Sequence, residues 1–385
     1  MGAPLVRIVA TAIILFFLLA ERNVLALISF ANARGWGNIP VKTSCLSGAT
    51  SVGSLDPNNG ACVKTVDVLS LDSIRSTLIR QEETIIFALI ERAQYRRNVV
   101  VYGRGTFNLG TPLGSKASES DDELSFLEYM LAGTEALHRK VRRYTSPEEH
   151  AFFPERLPDG PLHALPELEF PDLLSAAGGA NEVNFNDILL RKYIDVVLPA
   201  LTRSGDDEQH GSTVLADIAA LQALSRRVHY GKFVAESKYR ADPEGYEKLV
   251  AQNDHKGVMK LLTNEAVEKQ VLRRARLKAA TYGREPLMSS LPDLEGKEND
   301  NTSVIAAAAA SAVVAAVEAM GDGNNSAQTG KVDPWIIESI YRDIIIPITK
   351  DIEVAYLFRR CGKEPPSEYA PDRMSVDVKS IIKKN

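Results

Sequence analysis

From Leu69 onward, apolar residues recur every three to four positions with charges between them, the repeat of an amphipathic helix rather than of a strand. In residues 69–95, LSLDSIRSTLIRQEETIIFALIERAQY, the side chains of Ile74, Leu78, Ile85, Leu89 and Ala93 fall on one stripe. Ser70 or Asp72 is placed to cap that helix, and Arg75 sits at the edge of its apolar face. Residues 98–121 are rich in Gly, Ser and Thr and predict a loop. The helical pattern returns over 122–144 and ends in Arg139, Lys140, Arg142 and Arg143, cations that suit the negative end of a helix dipole. The Pro-rich run 147–171 is irregular. Further helices are predicted over 184–203, 211–240, 243–253, 255–262, 264–283 and 333–361. The last opens with Asp333 as cap and Pro334 at the first helical position. Neither sustained strand alternation nor a βαβ rhythm occurs, so the expected fold class is all-α.

The two ends and one interior stretch depart from this pattern. Residues 1–33 read as a signal peptide, with Arg7 before a thirteen-residue apolar run, Ile8 to Ala20, and an Ala31-Asn32-Ala33 cleavage site. The run is too short for a comfortable membrane span, and Glu21 and Arg22 interrupt the competing reading, an anchor continuing through Val24–Phe30, so the mature protein is expected to carry no stable span. Residues 34–65 hold Asp56 as their one acidic residue among many Ser, Thr, Gly and Asn. That composition fits a low-complexity linker or the transit half of a two-part plastid address. Secretion is the rival destination, and a misassigned start would leave the protein in the cytoplasm. Residues 287–331 contain an Ala-rich run and the two N-x-S/T sequons, Asn301 and Asn324, and read as a surface insertion. The expected organisation is therefore a signal (1–33), a linker or transit segment (34–65), a helical domain (66–361) and a polar tail (362–385).

Composition adds exclusions more than assignments. Of the 385 residues, 45% are apolar and 25% charged, as in soluble globular proteins. A formal net charge of −5 argues against nucleic acid as a partner. Cys45, Cys62 and Cys361 form neither a metal pattern nor a disulfide framework, although a Cys45–Cys62 bridge stays open.

Candidate chemistry gathers in the later helices. In residues 221–240, LQALSRRVHYGKFVAESKYR, Arg227 and Lys238 are eleven apart and return to nearly the same helix face at about 100° per residue. Two cations on one face can converge on an anion, although spacing alone favours a solvated basic stripe. Asn264 with Glu268, and Thr349 with Glu353, form two further pairs one helical turn apart. No nucleophile–base pair, metal cluster or phosphate loop stands out, and Gly103-x-Gly105 lacks the following helix that a nucleotide fingerprint needs. Cations, an amide, a hydroxyl and two carboxylates suit a polyanionic ligand handled without a cofactor.

Five stretches in order, SLDSIRSTLIRQEETIIFALIER, YTSPEEHAFFPE, LQALSRRVHYGKFVAESKYR, LLTNEAVEKQVLRR and IIIPITKDIEVAYLFRR, resemble the eukaryotic, all-helical chorismate mutases of fungi and plants. The similarity runs from about Leu69 to Arg360 and is interrupted mainly by the insertion. It implies a homodimer that converts chorismate to prephenate by a Claisen rearrangement, feeding phenylalanine and tyrosine synthesis with no cofactor or metal. By resemblance, Arg75, Arg227 and Lys238 clamp the two carboxylates of the substrate, and Lys238 also donates to the ether oxygen. Asn264 helps hold a carboxylate, Glu268 accepts from the ring hydroxyl, Thr349 lines the pocket, and a protonated Glu353 donates to the ether oxygen. Arg142, Arg143, Gly211 and Ser212 match an effector site at the dimer interface where tryptophan activates and tyrosine inhibits. Leu215 stands where fungal members carry a hydroxyl residue, which puts the tyrosine response in question. The alternative of another class is an exported, non-catalytic helical protein that has kept the pocket, and it predicts the loss of a charged pocket residue. Export would also permit a secreted mutase that consumes chorismate outside the producing cell.

Overall fold

The computed structural model describes residues 68–118, 123–160, 173–282 and 331–370. The signal and linker segments, the insertion up to residue 330 with both sequons, Cys45, Cys62 and the tail beyond Ala370 lie outside the described residues. Every regular element among those described is helical.

Local chemistry sets most helix starts. Helix α1 (Leu71–Arg92) begins after Ser70, whose hydroxyl accepts from the Ser73 N–H at 3.3 Å. Helix α2 (Phe126–Lys140) opens on a capping box between Ser125 and Glu128. Helix α3 (Asn186–Lys192) passes through a π-helical turn, Tyr193–Val197, into the short α4 (Leu198–Leu201). The later α10 (Pro334–Ile340) does the same through Tyr341–Ile345 into α11 (Ile346–Arg360). Both π turns read Tyr-x-Asp, three apolar residues, then proline, Pro199 in one and Pro347 in the other. Proline has no N–H to give the preceding turn, and a widened turn accommodates the loss.

The stretch expected as one helix over 211–240 is two, α5 (His210–His229) and α6 (Gly231–Ala241), broken at Tyr230. The cause is tertiary. A Cβ placed on Gly231 would lie 2.9 Å from Cγ2 and 3.0 Å from the carbonyl oxygen of Thr349, so the chain meets α11 there with no room for a side chain. The remaining helices are α7 (Pro243–Ala251), α8 (His255–Leu262) and α9 (Glu265–Tyr282). Asp242 caps α7, Asp254 caps α8, and the Asn264 side chain accepts from Val267 N–H at the start of α9.

A second difference concerns the basic cluster. Helix α2 stops at Lys140, Arg142 takes a left-handed φ of 64°, and Arg143 opens a 3-10 turn. Arg142 and Arg143 therefore lie beyond the helix end, and Arg143 is held instead by Glu149 at 3.0 Å and Gln222 at 3.0 Å. The described start of the polar tail is tied down as well, by Lys363 to the Ala251 carbonyl at 2.8 Å and Glu368 to His255 at 2.8 Å.

Two apolar clusters meet along α5, α6 and α11. The larger joins Ile85 and Leu89, Leu127 and Leu131, and Leu221 and Leu224 with the inner residues of α9 to α11. The smaller packs α6, α7 and α8 against Val354, Tyr356 and Phe358. Helix α11 is buried on nearly every side, as its apolar sequence requires, and two polar residues, Thr349 and Glu353, are buried with it.

One buried polar knot fastens α1 to α5. Asp217 accepts from Arg92 Nε at 2.5 Å, Tyr102 at 2.6 Å and Tyr193 at 2.8 Å, while Arg92 also donates to three carbonyls, those of Tyr95, Arg96 and Arg97. Asp217→Ala would strand the buried Arg92 charge and is expected to destabilise the protein by about 3–5 kcal/mol in denaturant unfolding, with Asp217→Asn losing less.

Candidate functional site

Where the two clusters meet, α1, α5, α6, α9 and α11 enclose a cavity of about 330 Å³. All seven residues expected to carry the chemistry line it: Arg75, Arg227, Lys238, Asn264, Glu268, Thr349 and Glu353. Leu71, Ile74, Leu78, Val234, Val267 and Val271 supply its apolar walls. A larger open cavity of about 830 Å³ lies among the loops around residues 144–184 and contains none of the seven.

Arg227 is 5% exposed, and its Nε and Nη1 are buried without a hydrogen-bond partner. Spacing alone favoured a solvated stripe; the structure places this cation in the interior. Buried donors are nearly always satisfied, and a guanidinium presents a planar fork that fits a carboxylate. Burial lowers its pKa, while Tyr341, Glu82 and Glu353 oppose that shift from nearby.

Lys238 donates to the Leu262 carbonyl, at the end of α8, and lies 3.8 Å from Glu353 Oε2. Burial raises the Glu353 carboxyl to about 7, with Lys238, Arg227 and Lys350 pulling the other way and Glu268 adding to the rise. Thr349 donates its hydroxyl to the Ile345 carbonyl, in the π turn, at 2.6 Å. Asn264, whose side-chain oxygen caps α9, has its amide nitrogen to offer a ligand. Arg75 stands at the mouth, half exposed and 3.3 Å from an exposed Asp72, a pairing weak enough to exchange for a bound anion.

Other contributors escaped sequence reasoning. Lys350 lines the cavity and pairs with Glu268 at 2.6 Å. Its place directly after Thr349 was the available signal. Behind Arg227, Arg274 grips the buried Glu82 through Nε at 2.7 Å, Lys278 lies 3.4 Å from the same carboxylate, and the buried Tyr341 hydroxyl has no partner. Glu82 is two turns after Arg75 on α1, a spacing that could have marked it.

The four expected effector residues are not gathered within one chain. Gly211 and Ser212 are exposed in the first turn of α5. Arg143 is held at Gln222, eleven residues further along the same helix, or about 16 Å at 1.5 Å per residue. Leu215, Leu137 and Val141 are each more than half exposed.

The cavity thus offers cations to a compact dianion, a carboxyl poised to hold a proton and a shape walled by apolar groups. No protein-family model matches the chain. Among characterised relatives, "Chorismate mutase 1, chloroplastic" of Petunia hybrida is 38% identical over 312 residues, 81% of each chain. "Chorismate mutase" of Saccharomyces cerevisiae is 35% identical over 299 residues, 77% of this chain and 97% of the relative. Of solved structures, the Candida albicans chorismate mutase in complex with L-Trp matches with a TM-score of 0.60 at 35% identity, covering 77% of this chain and 94% of that one. AtCM1 with tyrosine bound in its allosteric site matches with a TM-score of 0.57 at 35% identity, covering 76% and 97%. Identity at this level across nearly the whole length of the relatives, on a shared helical fold, places the chain in the family: it belongs to the chorismate mutases.

Proposed function

We propose that the cavity between α1, α5, α6, α9 and α11 rearranges chorismate to prephenate, with residues 66–361 as the mutase domain. The observation that carries this reading is Arg227, a buried guanidinium with two unpartnered donors facing a cavity that also holds Lys238 and Glu353.

The reaction breaks one C–O bond and forms one C–C bond within a single molecule, so it requires neither a nucleophile nor a base. What the protein supplies is geometry and charge. A flexible dianion must be held in a chair-like conformer, which removes an entropic part of the barrier. Arg227 and Arg75 take the carboxylates, Asn264 adds an amide donor, and Glu268 accepts from the ring hydroxyl. Negative charge develops on the ether oxygen as the C–O bond lengthens, and donors aimed at that atom stabilise the transition state more than the substrate. Lys238 is one such donor. Glu353 is the other, and its carboxyl, pushed up to about 7 by burial, is raised further when a dianion enters. Thr349 closes the wall between them.

Regulation is assigned by the same reasoning. The relatives from C. albicans and AtCM1 hold L-Trp and tyrosine, the latter in an allosteric site. In this chain Arg143, held at Gln222, lies about 16 Å along α5 from Gly211. One small effector reaches both sets across a two-fold dimer, for which the exposed Leu137, Val141 and Leu215 supply apolar surface. Tryptophan is the activator and tyrosine the inhibitor in this reading. Several plant relatives are named chloroplastic, which supports a plastid address in residues 1–65 over secretion. The rival reading, a pocket retained without catalysis, predicts a missing charge that none of the seven positions displays.

Three outcomes test this. Arg227→Ala is expected to lower kcat/KM by at least about 100-fold, followed as the loss of chorismate absorbance, because it removes the buried clamp that holds a carboxylate in the reactive conformer. Wild-type kcat/KM is expected to fall as pH rises through about 7, the value of the free protein, since the protonated Glu353 is the active form, and Glu353→Gln is expected to flatten that fall. An equally steep decline in Glu353→Gln would remove the proton-donor role. Replacing Arg142 and Arg143 together by Ala is expected to bring the ratio of rates with and without tryptophan to one, with sedimentation reporting the dimer.

A further inference from the structure

Lys232, the second residue of α6, is fully buried, and no carboxylate among the described residues makes a salt bridge with it, although the Glu148 carboxylate lies near enough to favour its charge. Its amine meets Nε2 of His150, which accepts in the tautomer that carries its proton on Nδ1, and donates at 2.8 Å to the carbonyl of Asn181. Burying an amine without an ion-pair partner costs free energy, and the cost is least where every N–H finds an acceptor. A neutral amine has two N–H groups and meets two acceptors here. Burial pushes Lys232 down to about 7, consistent with that match.

The place of this contact matters more than its strength. Lys232 sits directly after the break between α5 and α6, five residues after Arg227 and six before Lys238. His229, on the other side of the break, is fixed too. Its Nε2 accepts from the Phe185 N–H at 3.0 Å and its Nδ1 meets the Ser225 carbonyl at 2.8 Å, while the His150 ring packs 4.5 Å from its own. Between them, Gly231 presses on α11. A Cβ there would lie 2.9 Å from Thr349 Cγ2 and 3.4 Å from Glu353 Cγ. A shift of the bend is therefore a shift of Thr349, Glu353, Arg227 and Lys238 relative to one another.

We propose that the contact of Lys232 with His150 and Asn181 is a positioning device for the rearrangement: it seats the α5–α6 bend against Thr349 and Glu353 and so fixes the spacing of Arg227 and Lys238. It rests on the mutase reading above. Lys232 and His150 line no part of the reaction cavity and act only through the residues they place.

The test uses the full chain, with wild-type conversion of chorismate as the first measurement; a folded wild type without turnover would overturn the mutase reading and this proposal with it, whereas an active wild type makes the variants below a test of this proposal alone. Lys232→Met keeps most of the length of the side chain and removes its donors. His150→Leu removes an acceptor, and His150→Gln restores one through its side-chain oxygen. Lys232→Met and His150→Leu are expected to lower kcat at least about tenfold with a smaller change in KM, the signature of lost transition-state geometry, and His150→Gln to stay within about threefold of wild type. Circular dichroism and thermal melting establish that each variant is folded. Wild-type kcat in a folded Lys232→Met or His150→Leu would overturn the proposal, as would an equal loss in His150→Gln and His150→Leu. If Lys232→Met does not fold, the two His150 variants decide the matter by themselves.

Discussion

Arg227 is held out of water by a core that offers two of its donors nothing, and folding therefore leaves a cation in want of an anion. Such a group is destabilising in the empty protein, because desolvation of a charge is repaid only by a partner of opposite sign in good geometry. The remaining features of the interior follow from tolerating it. Glu82 is one step removed and already gripped by Arg274 and Lys278, so it softens the field without filling the fork. Glu353 lies where burial keeps its proton near neutrality, so it does not quench the cation that a ligand must meet. A site of this kind is preorganised for a dianion at the expense of the stability of the free protein.

Helix α11 supplies the rigid wall on which that arrangement depends. Pro347 forces a π turn at Tyr341–Ile345, and Thr349 donates back into that turn. One turn later Glu353 emerges beside it. Across from them the bend at Tyr230 and the absent side chain of Gly231 let α6 approach, which brings Lys238 within 3.8 Å of Glu353. The fold holds these groups on helices packed on nearly all sides, the support that exact placement of reacting atoms requires.

Where a structural feature has a local cause, the sequence carries it. Ser70 and the Asp333–Pro334 pair announce their helix starts because caps act over three residues. The break at Tyr230 has no such signal, since its cause is Thr349, more than a hundred residues away. Arg142 and Arg143 looked like the last turn of a helix that in fact stops at Lys140, because a residue entering the left-handed region leaves no mark on periodicity. The seven candidate residues line one cavity, whereas spacing by itself favoured a solvated stripe for Arg227 and Lys238. Burial of a charge is decided by long-range packing and is invisible to a helical wheel. Lys350 and Glu82 show the reverse case, residues next to Thr349 in sequence or in helical register with Arg75 whose placement rests on contacts across helices.

The site pairs a protonated carboxyl with a guanidinium whose buried donors lack partners, and both respond to ligand binding without turnover. Calorimetric titration with a bicyclic dicarboxylate shaped like the chair transition state, repeated in buffers of different ionisation enthalpy, counts protons taken up on binding. At pH 8, above the value of about 7 for Glu353 in the free protein, the account predicts uptake approaching one proton per ligand, absent in Glu353→Gln and absent at pH 5. Binding at pH 8 with no proton uptake, or no binding in the folded wild type, would contradict it.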